Sequence, residues 1–140
     1  MISYIGGKST ISTSLIIPNI PKDIETYVEP FSGMYWVLFK MNIEEYPNLN
    51  RIVYNDFNPL NVNLFKCIKC HEKLLESCNK VIVQQKGDTQ TSPECRETFN
   101  RIQSKIFDSK FIVPIEPDYE LAAEYALVLT NVFSGSNPSK

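Results

Sequence analysis

The order of apolar and polar positions predicts alternating strands and helices in the first half of the chain. Residues 26–31 and 51–54 are rich in β-forming side chains, and each run leads through a turn into an apolar segment with helical spacing. The first helical segment covers residues 34–41. The second begins at Asn58 and Pro59, a favourable helix start, with an apolar face expected to comprise Leu60, Leu64, Phe65, Ile68, Leu74 and Leu75. This order is typical of an α/β fold with a parallel sheet.

The second half of the chain predicts helices in succession. One helix should open after Ser92 and carry Ile102 and Ile106 on its apolar side, and Asp118 should cap another. Successive helices interrupt the alternation and indicate an inserted helical subdomain. Two strands are few for an α/β sheet, which typically has ~5–6, so we expect a partial sheet within residues 1–80 and the helical insertion within residues 81–140.

Composition and charge narrow the class of protein. Hydrophobic residues make up 43% and charged residues 21% of the chain, as in ordinary globular proteins. A net charge of −2 excludes a protein that coats nucleic acid through overall positive charge, but not a local basic patch. The sequence shows no membrane-length apolar run and no secretory signal, so we expect no membrane association, a cytoplasmic location and reduced cysteines.

Two acidic residues and a glycine-rich segment are the candidate binding chemistry. Glu29 and Asp56 each lie at the end of a predicted strand, and ligands of open α/β sheets bind outside the carboxyl ends of the strands. An acid in the second position commonly accepts hydrogen bonds from ribose hydroxyls, so the pair indicates an adenosine-type cofactor. Residues 6–9 (Gly-Gly-Lys-Ser) indicate either a plain turn or one that directs Lys8 at an anionic group; Ile2 stands where a phosphate-binding P-loop needs glycine.

The cysteines do not form a convincing metal or haem motif. Residues 67–71 (Cys-Ile-Lys-Cys-His) match a haem attachment pattern, but they lie within a predicted amphipathic helix. No second close pair completes a zinc site with Cys78. We therefore expect no metal, with Cys67 and Cys78 packed as small apolar side chains.

Three motifs together resemble the Dam-type DNA adenine-N6 methyltransferases, which use S-adenosylmethionine. Residues 4–9 are similar to the aromatic-x-Gly-Gly-Lys motif of that family. Residues 27–33 (Tyr-Val-Glu-Pro-Phe-Ser-Gly) resemble its cofactor motif, and residues 54–58 (Tyr-Asn-Asp-Phe-Asn) resemble its second strand end. The family then implies a partial Rossmann-like methyltransferase sheet with the start of a helical DNA-recognition subdomain. The sequence leaves open whether such an enzyme belongs to a restriction-modification system, a virus or a host.

The resemblance also implies a role for individual residues. Lys8 would contact the carboxylate of the methionine part of the cofactor, Glu29 its ammonium group, and Asp56 the ribose hydroxyls. The full set of cofactor-binding residues that it implies is Tyr4, Gly6, Gly7, Lys8, Glu29, Phe31, Ser32, Gly33, Asp56 and Phe57. The bulky residues 34–36 (Met-Tyr-Trp) stand where the family has small ones, and they favour an alternative, a non-catalytic remnant that binds cofactor or nucleic acid.

The catalytic motif of the family, Asp-Pro-Pro-Tyr, does not occur in this sequence. We therefore expect the chain to be an N-terminal portion that contains no catalytic residue and is inactive alone. A C-terminal half that carries the catalytic motif is an expected partner. Double-stranded DNA is the partner that the family implies. Residues 79–111 hold six basic residues against four acidic ones, and the expected DNA-binding residues are Arg96, Arg101 and Lys105.

Overall fold

The computed structural model of the chain describes residues 7–84, 93–108 and 110–131. These residues fall into two compact units, which we call the strand unit, within Tyr4–Asn58, and the helical unit, within Pro59–Lys140. The sequence predicts a boundary near residue 80 between a cofactor-binding part and a DNA-recognition part. The division into compact units does not test this functional boundary, so it stays a prediction. Residue 80 itself lies inside a helix.

The strand unit contains a parallel sheet of two strands. These are β1 (Thr26–Glu29) and β2 (Arg51–Tyr54), with Thr26 opposite Arg51 and Glu29 opposite Tyr54. Both strands lie where the sequence predicts them, because each is a short run of β-branched and aromatic side chains. The predicted mixed α/β character is confirmed, whereas the larger Rossmann-like sheet and the inserted subdomain stay predictions.

Helical segments precede and connect the two strands. The first, α1 (Ser9–Ile11), continues as a π-helical turn (Ser12–Ile16) and a 3-10 turn (Ile17–Asn19). A short helix, α2 (Trp36–Lys40), follows β1, and the 3-10 turn Ile43–Glu45 precedes β2. Val37 of α2 packs with Met41 and Tyr46 in a buried cluster, against which lie Ile16, Ile17, Ile20, Ile24, Tyr27, Leu38 and Leu49.

The helix expected over residues 34–41 is shorter than predicted. Gly33 and Tyr35 have positive φ angles of 54° and 58°, a conformation that breaks a right-handed helix, so α2 begins only at Trp36. Met34 and Tyr35 are buried, and the Tyr35 ring meets the Tyr54 ring edge-to-face at 4.9 Å between centroids. The apolar character that predicts a helix at residues 34 and 35 serves core packing instead.

The helical unit consists, in its described part, of α3 (Pro59–Ile68), α4 (His71–Gln84), α5 (Pro93–Ile106) and α6 (Tyr119–Asn131). Helix α6 packs against each of the other three. Ile102, Leu121 and Val128 are almost fully buried and form part of this core. The helical character of this region is therefore as predicted.

A break separates α3 from α4, where the sequence predicts one continuous helix. The N–H of Cys70 donates to the carbonyl oxygen of Cys67 at 3.1 Å and closes the last turn of α3. Polar side chains dominate between Ile68 and Leu74, so a straight helix would not keep its apolar face on the core. Because α4 starts anew, Leu75 is 58% exposed rather than part of that face.

Buried amide side chains connect the helices of this unit. The side chain of Asn63 accepts a hydrogen bond from the Asp118 N–H and donates one to the Asp118 carbonyl oxygen, both at 2.9 Å. The Tyr125 hydroxyl donates to Asn61 Oδ1 at 2.8 Å. Asp118 Oδ1 accepts from the Leu121 N–H at 2.9 Å, which confirms the predicted helix cap.

Candidate functional site

The turn that follows β1 is fixed to the end of β2 by hydrogen bonds. Ser32 is buried; its N–H donates to the carbonyl oxygen of Asn55 at 3.0 Å, and its Oγ lies 2.6 Å from the carbonyl oxygen of Glu29. The side-chain amide of Asn55 donates in turn to the Pro30 carbonyl oxygen at 2.8 Å. The turn therefore has a defined position at the carboxyl end of the sheet, where ligands of α/β proteins bind.

Asp56 connects the turns that follow the two strands. Its Oδ2 accepts a hydrogen bond from the Gly33 N–H at 2.7 Å, and its Oδ1 accepts one from the Asn58 N–H at 2.8 Å. Tyr54 holds the same turn from β2, since its hydroxyl donates to the Gly33 carbonyl oxygen at 2.9 Å. These hydrogen bonds hold the Asp56 carboxylate at the strand ends, and its ribose-binding role stays a prediction.

Glu29 is a buried carboxylate with neutral donors on one of its oxygens. It is 9% exposed, and its Oε1 accepts hydrogen bonds from the Tyr27 hydroxyl at 2.7 Å and from the Leu38 N–H at 3.2 Å. Among the described residues, no hydrogen bond reaches Oε2 and no cation pairs with Glu29. A buried charge without a counter-charge is costly, so Glu29 is a candidate for binding a cationic group.

A cleft of about 220 Å³ adjoins this carboxylate within the strand unit. Its lining residues are Lys8, Ile16, Tyr27, Val28, Glu29, Pro30, Phe31 and Val37. The walls are mostly apolar and carry one cation and one carboxylate, a composition common in ligand sites. The volume is below the ~300–1,000 Å³ of pockets that enclose drug-sized ligands.

The residues predicted to bind cofactor fall into separate groups. Those that line the cleft are Lys8, Glu29 and Phe31. Those that take part in the hydrogen bonds of the turns are Ser32, Gly33 and Asp56. Gly7 and Phe57 are exposed residues that neither line the cleft nor form these hydrogen bonds, and Phe57 is 95% exposed. Tyr4 and Gly6 lie outside the described residues.

Tyr27 is a site residue that the sequence reasoning did not identify. It lies two positions before Glu29 in β1, and side chains at this spacing share one face of a strand. The spacing was the available signal for its contact with Glu29. Burial, and then the hydrogen bond to Glu29, raise the pKa of the Tyr27 hydroxyl well above its ordinary value, so it stays a neutral donor.

The bulky residues after Gly33 do not form the described cleft. Met34 and Tyr35 are buried, and Tyr35 contacts both Tyr54 and Phe39 through its ring. Neither belongs to the residues that line the cleft in the described part of the chain. Their size is accommodated by the core of the strand unit.

The three residues predicted to bind DNA differ in their surroundings. Arg96 and Arg101 are exposed on α5. Lys105 forms an ion pair with Glu124 of α6 at 2.6 Å, and the Glu124 side chain is only 5% exposed. Lys105 therefore has a structural partner, whereas DNA binding by any of the three stays a prediction.

The cysteine region shows no metal-binding geometry. Within residues 7–84, 93–108 and 110–131, no group of three or more His, Cys, Asp or Glu side chains is arranged to hold a metal ion. Cys67 is fully buried, and this burial raises its pKa to about 11. In the same described ranges, no helix has both the length and the apolar character needed to cross a membrane.

Comparison with known proteins identifies the family. Residues 4–137 match the model of the D12 class N6 adenine-specific DNA methyltransferases. No curated protein and no solved structure gives a significant match. The family match covers almost the whole chain, including both strand ends and the cleft between Lys8 and Glu29. The chain therefore belongs to the D12 class N6 adenine-specific DNA methyltransferase family.

Proposed function

We propose that this chain is the cofactor-binding part of an S-adenosylmethionine-dependent DNA adenine-N6 methyltransferase, with the methionine end of the cofactor in the cleft of the strand unit. The observation that carries the proposal is that Lys8 and Glu29 line the same cleft. The methionine end carries a carboxylate and an ammonium group, which a cation and a carboxylate complement. When bound, S-adenosylmethionine supplies a methyl group activated by its sulfonium.

The remaining strand-end residues suit the adenosine part of the cofactor. Asp56 would accept hydrogen bonds from the ribose hydroxyls while its backbone hydrogen bonds keep the carboxylate oriented. Phe31 and Phe57 are 76% and 95% exposed, and a bound adenosine would cover such aromatic surface. Exposed aromatic rings on both turns support a ligand at this end of the sheet.

Double-stranded DNA is the proposed substrate, and the helical unit the proposed surface for it. Arg96 and Arg101 are exposed on α5 and would contact phosphates. The Asp-Pro-Pro-Tyr segment that would hold the flipped adenine is not among these 140 residues, so we infer that methyl transfer requires a segment that carries this motif. We also propose that the chain and its DNA substrate are located in the cytoplasm.

Calorimetry with S-adenosylmethionine tests the cofactor site. Lys8→Ala and Glu29→Gln should each weaken binding by about tenfold or more, since each removes a charge-assisted contact. Glu44→Gln is the matched control, because Glu44 is an exposed acid of the same unit outside the cleft. Failure of the unaltered chain to bind, or equal affinity in all variants, would contradict the proposal.

Two measurements test the proposed DNA substrate and the need for the Asp-Pro-Pro-Tyr motif: DNA affinity at several salt concentrations, and transfer of a labelled methyl group to DNA. Substitution of both Arg96 and Arg101 by Ser should reduce the slope of log K against log salt by about two, as expected when two phosphate contacts are lost. An unchanged slope would leave these residues as ordinary solvated side chains. Methyl transfer to duplex DNA by the chain alone would show that the missing motif is not needed.

A further inference from the structure

We propose that Tyr27 is a positioning residue: its hydroxyl holds the Glu29 carboxylate so that Oε2 remains for the ammonium group of the cofactor. The inference rests on the proposed function and assigns a role to a residue outside the predicted site. It concerns the orientation of Glu29, not direct contact of Tyr27 with the methyl group. Both residues line the cleft.

The hydrogen bonds of Glu29 are asymmetric. Oε1 receives two donors, the Tyr27 hydroxyl at 2.7 Å and the Leu38 N–H at 3.2 Å. In the part of the chain that the structure describes, Oε2 receives none. A glutamate side chain has several rotamers, and ordering it on binding would cost conformational entropy. Two donors on one oxygen order the side chain before the ligand arrives, which is the advantage of a preorganised site.

The chemistry of the donor matters as much as its position. A lysine or arginine in place of Tyr27 would neutralise Glu29 and repel an ammonium group. The tyrosine hydroxyl orients the carboxylate and leaves its negative charge uncompensated. The main-chain N–H of Leu38 is likewise neutral. Within the described ranges, Glu29 is therefore oriented by neutral groups, as a cation-binding carboxylate requires.

Binding of two ligands to a conservative variant tests the role of Tyr27. Tyr27→Phe should weaken the binding of S-adenosylmethionine by about tenfold, because a hydrogen bond to a charged group is lost. Methylthioadenosine lacks the amino-acid part of the cofactor, so its affinity should stay within about twofold. Tyr46→Phe is the matched control, because Tyr46 is 2% exposed and its hydroxyl has no hydrogen-bond partner among the described residues. That variant should leave both affinities unchanged.

A double-mutant cycle establishes whether Tyr27 acts through Glu29. In a Glu29→Gln background, Tyr27→Phe should cause no further loss of S-adenosylmethionine affinity. Equal affinity of wild type and Tyr27→Phe would overturn the positioning role while leaving the proposed function intact. Equal loss for both ligands would also overturn it, since that pattern indicates general damage to the unit. Failure of wild type to bind S-adenosylmethionine would overturn the proposed function and this inference together.

Discussion

The two units each bury a glutamate, and they differ in what balances its charge. Glu124 of the helical unit is 4% exposed and pairs with Lys105 at 2.6 Å. Glu29 of the strand unit is 9% exposed, and the donors that it receives from the described residues are neutral, the Tyr27 hydroxyl and the Leu38 N–H. The first carboxylate completes an internal ion pair, and the second keeps its charge beside a cleft. A buried acid thus indicates a binding site only where its charge is left uncompensated.

The other buried polar groups follow the same division. In the helical unit, Asn63 uses both ends of its amide on the backbone of Asp118, which joins α3 to the start of α6. In the strand unit, Ser32 and Asp56 hold turns at the carboxyl end of the sheet. Polar side chains lock helices together in one unit and shape a candidate ligand site in the other. Four predictions test this contrast.

Removal of the cation from the helical unit should have the largest effect on stability. Lys105→Met would leave Glu124 buried without its counter-charge, and we expect a loss of about 2–3 kcal/mol, since Lys105 is itself partly exposed. Urea unfolding followed by circular dichroism measures this loss. Lys110→Met is the control, an exposed lysine outside the helices, and should change stability by less than about 0.5 kcal/mol. A comparable loss in both variants would show that the ion pair is not the cause.

Asp56→Ala should destabilise the strand unit by about 2 kcal/mol and should also weaken the binding of S-adenosylmethionine. The substitution removes the acceptor for the Gly33 and Asn58 N–H groups in a half-buried position, and hydrogen bonds to a charged acceptor contribute ~1.5–3 kcal/mol. Asp23→Ala, at an exposed acid of the same unit, is the control. Unchanged unfolding with lost cofactor binding would show that Asp56 serves the ligand alone.

Local sequence patterns predict the parts of the fold and site that depend on neighbours in the chain. The two strands, the Asp118 cap and the acids after each strand follow from short patterns of β-forming, capping and turn residues. These features need no knowledge of tertiary contacts.

The features that the sequence did not predict depend on tertiary contacts. Lys105 is paired with a residue 19 positions away on another helix, so the charge that suggests DNA binding has a structural partner. Both helices at the α3–α4 break pack on α6, and the positive φ of Tyr35 accompanies its ring contact with Tyr54. Only the Tyr27–Glu29 contact had a usable local signal, the strand spacing of two.

As pH rises into the alkaline range, the helical unit should lose stability at a lower pH than the strand unit. Burial raises the pKa of Cys67 in the helical unit to about 11 from 9.0. In the strand unit it raises the pKa of Tyr35 to about 12 from 10.0 and that of Tyr27 well above its ordinary value. Between the unfolded and folded pKa the unfolded chain binds fewer protons, so stability falls as pH rises. The helical unit should therefore lose stability from about pH 9 and the strand unit from about pH 10, each on the order of 1–2 kcal/mol. Thermal melts from pH 8 to 11 measure this, and Cys67→Ala should flatten the first phase.

The smallest effect on stability should come from Glu29→Gln, the counterpart of the Lys105 variant. The glutamine carbonyl oxygen can still accept from the Tyr27 hydroxyl and the Leu38 N–H, so both hydrogen bonds at Oε1 survive. The substitution removes a buried charge that lacks a counter-charge, and its desolvation cost disappears with it. We expect unfolding free energy to change by less than about 1 kcal/mol, in the direction of greater stability. Urea unfolding of both variants side by side gives the comparison. A loss as large as that of Lys105→Met would mean that the Glu29 charge is needed by the fold, and the contrast between the two buried glutamates would no longer identify a site.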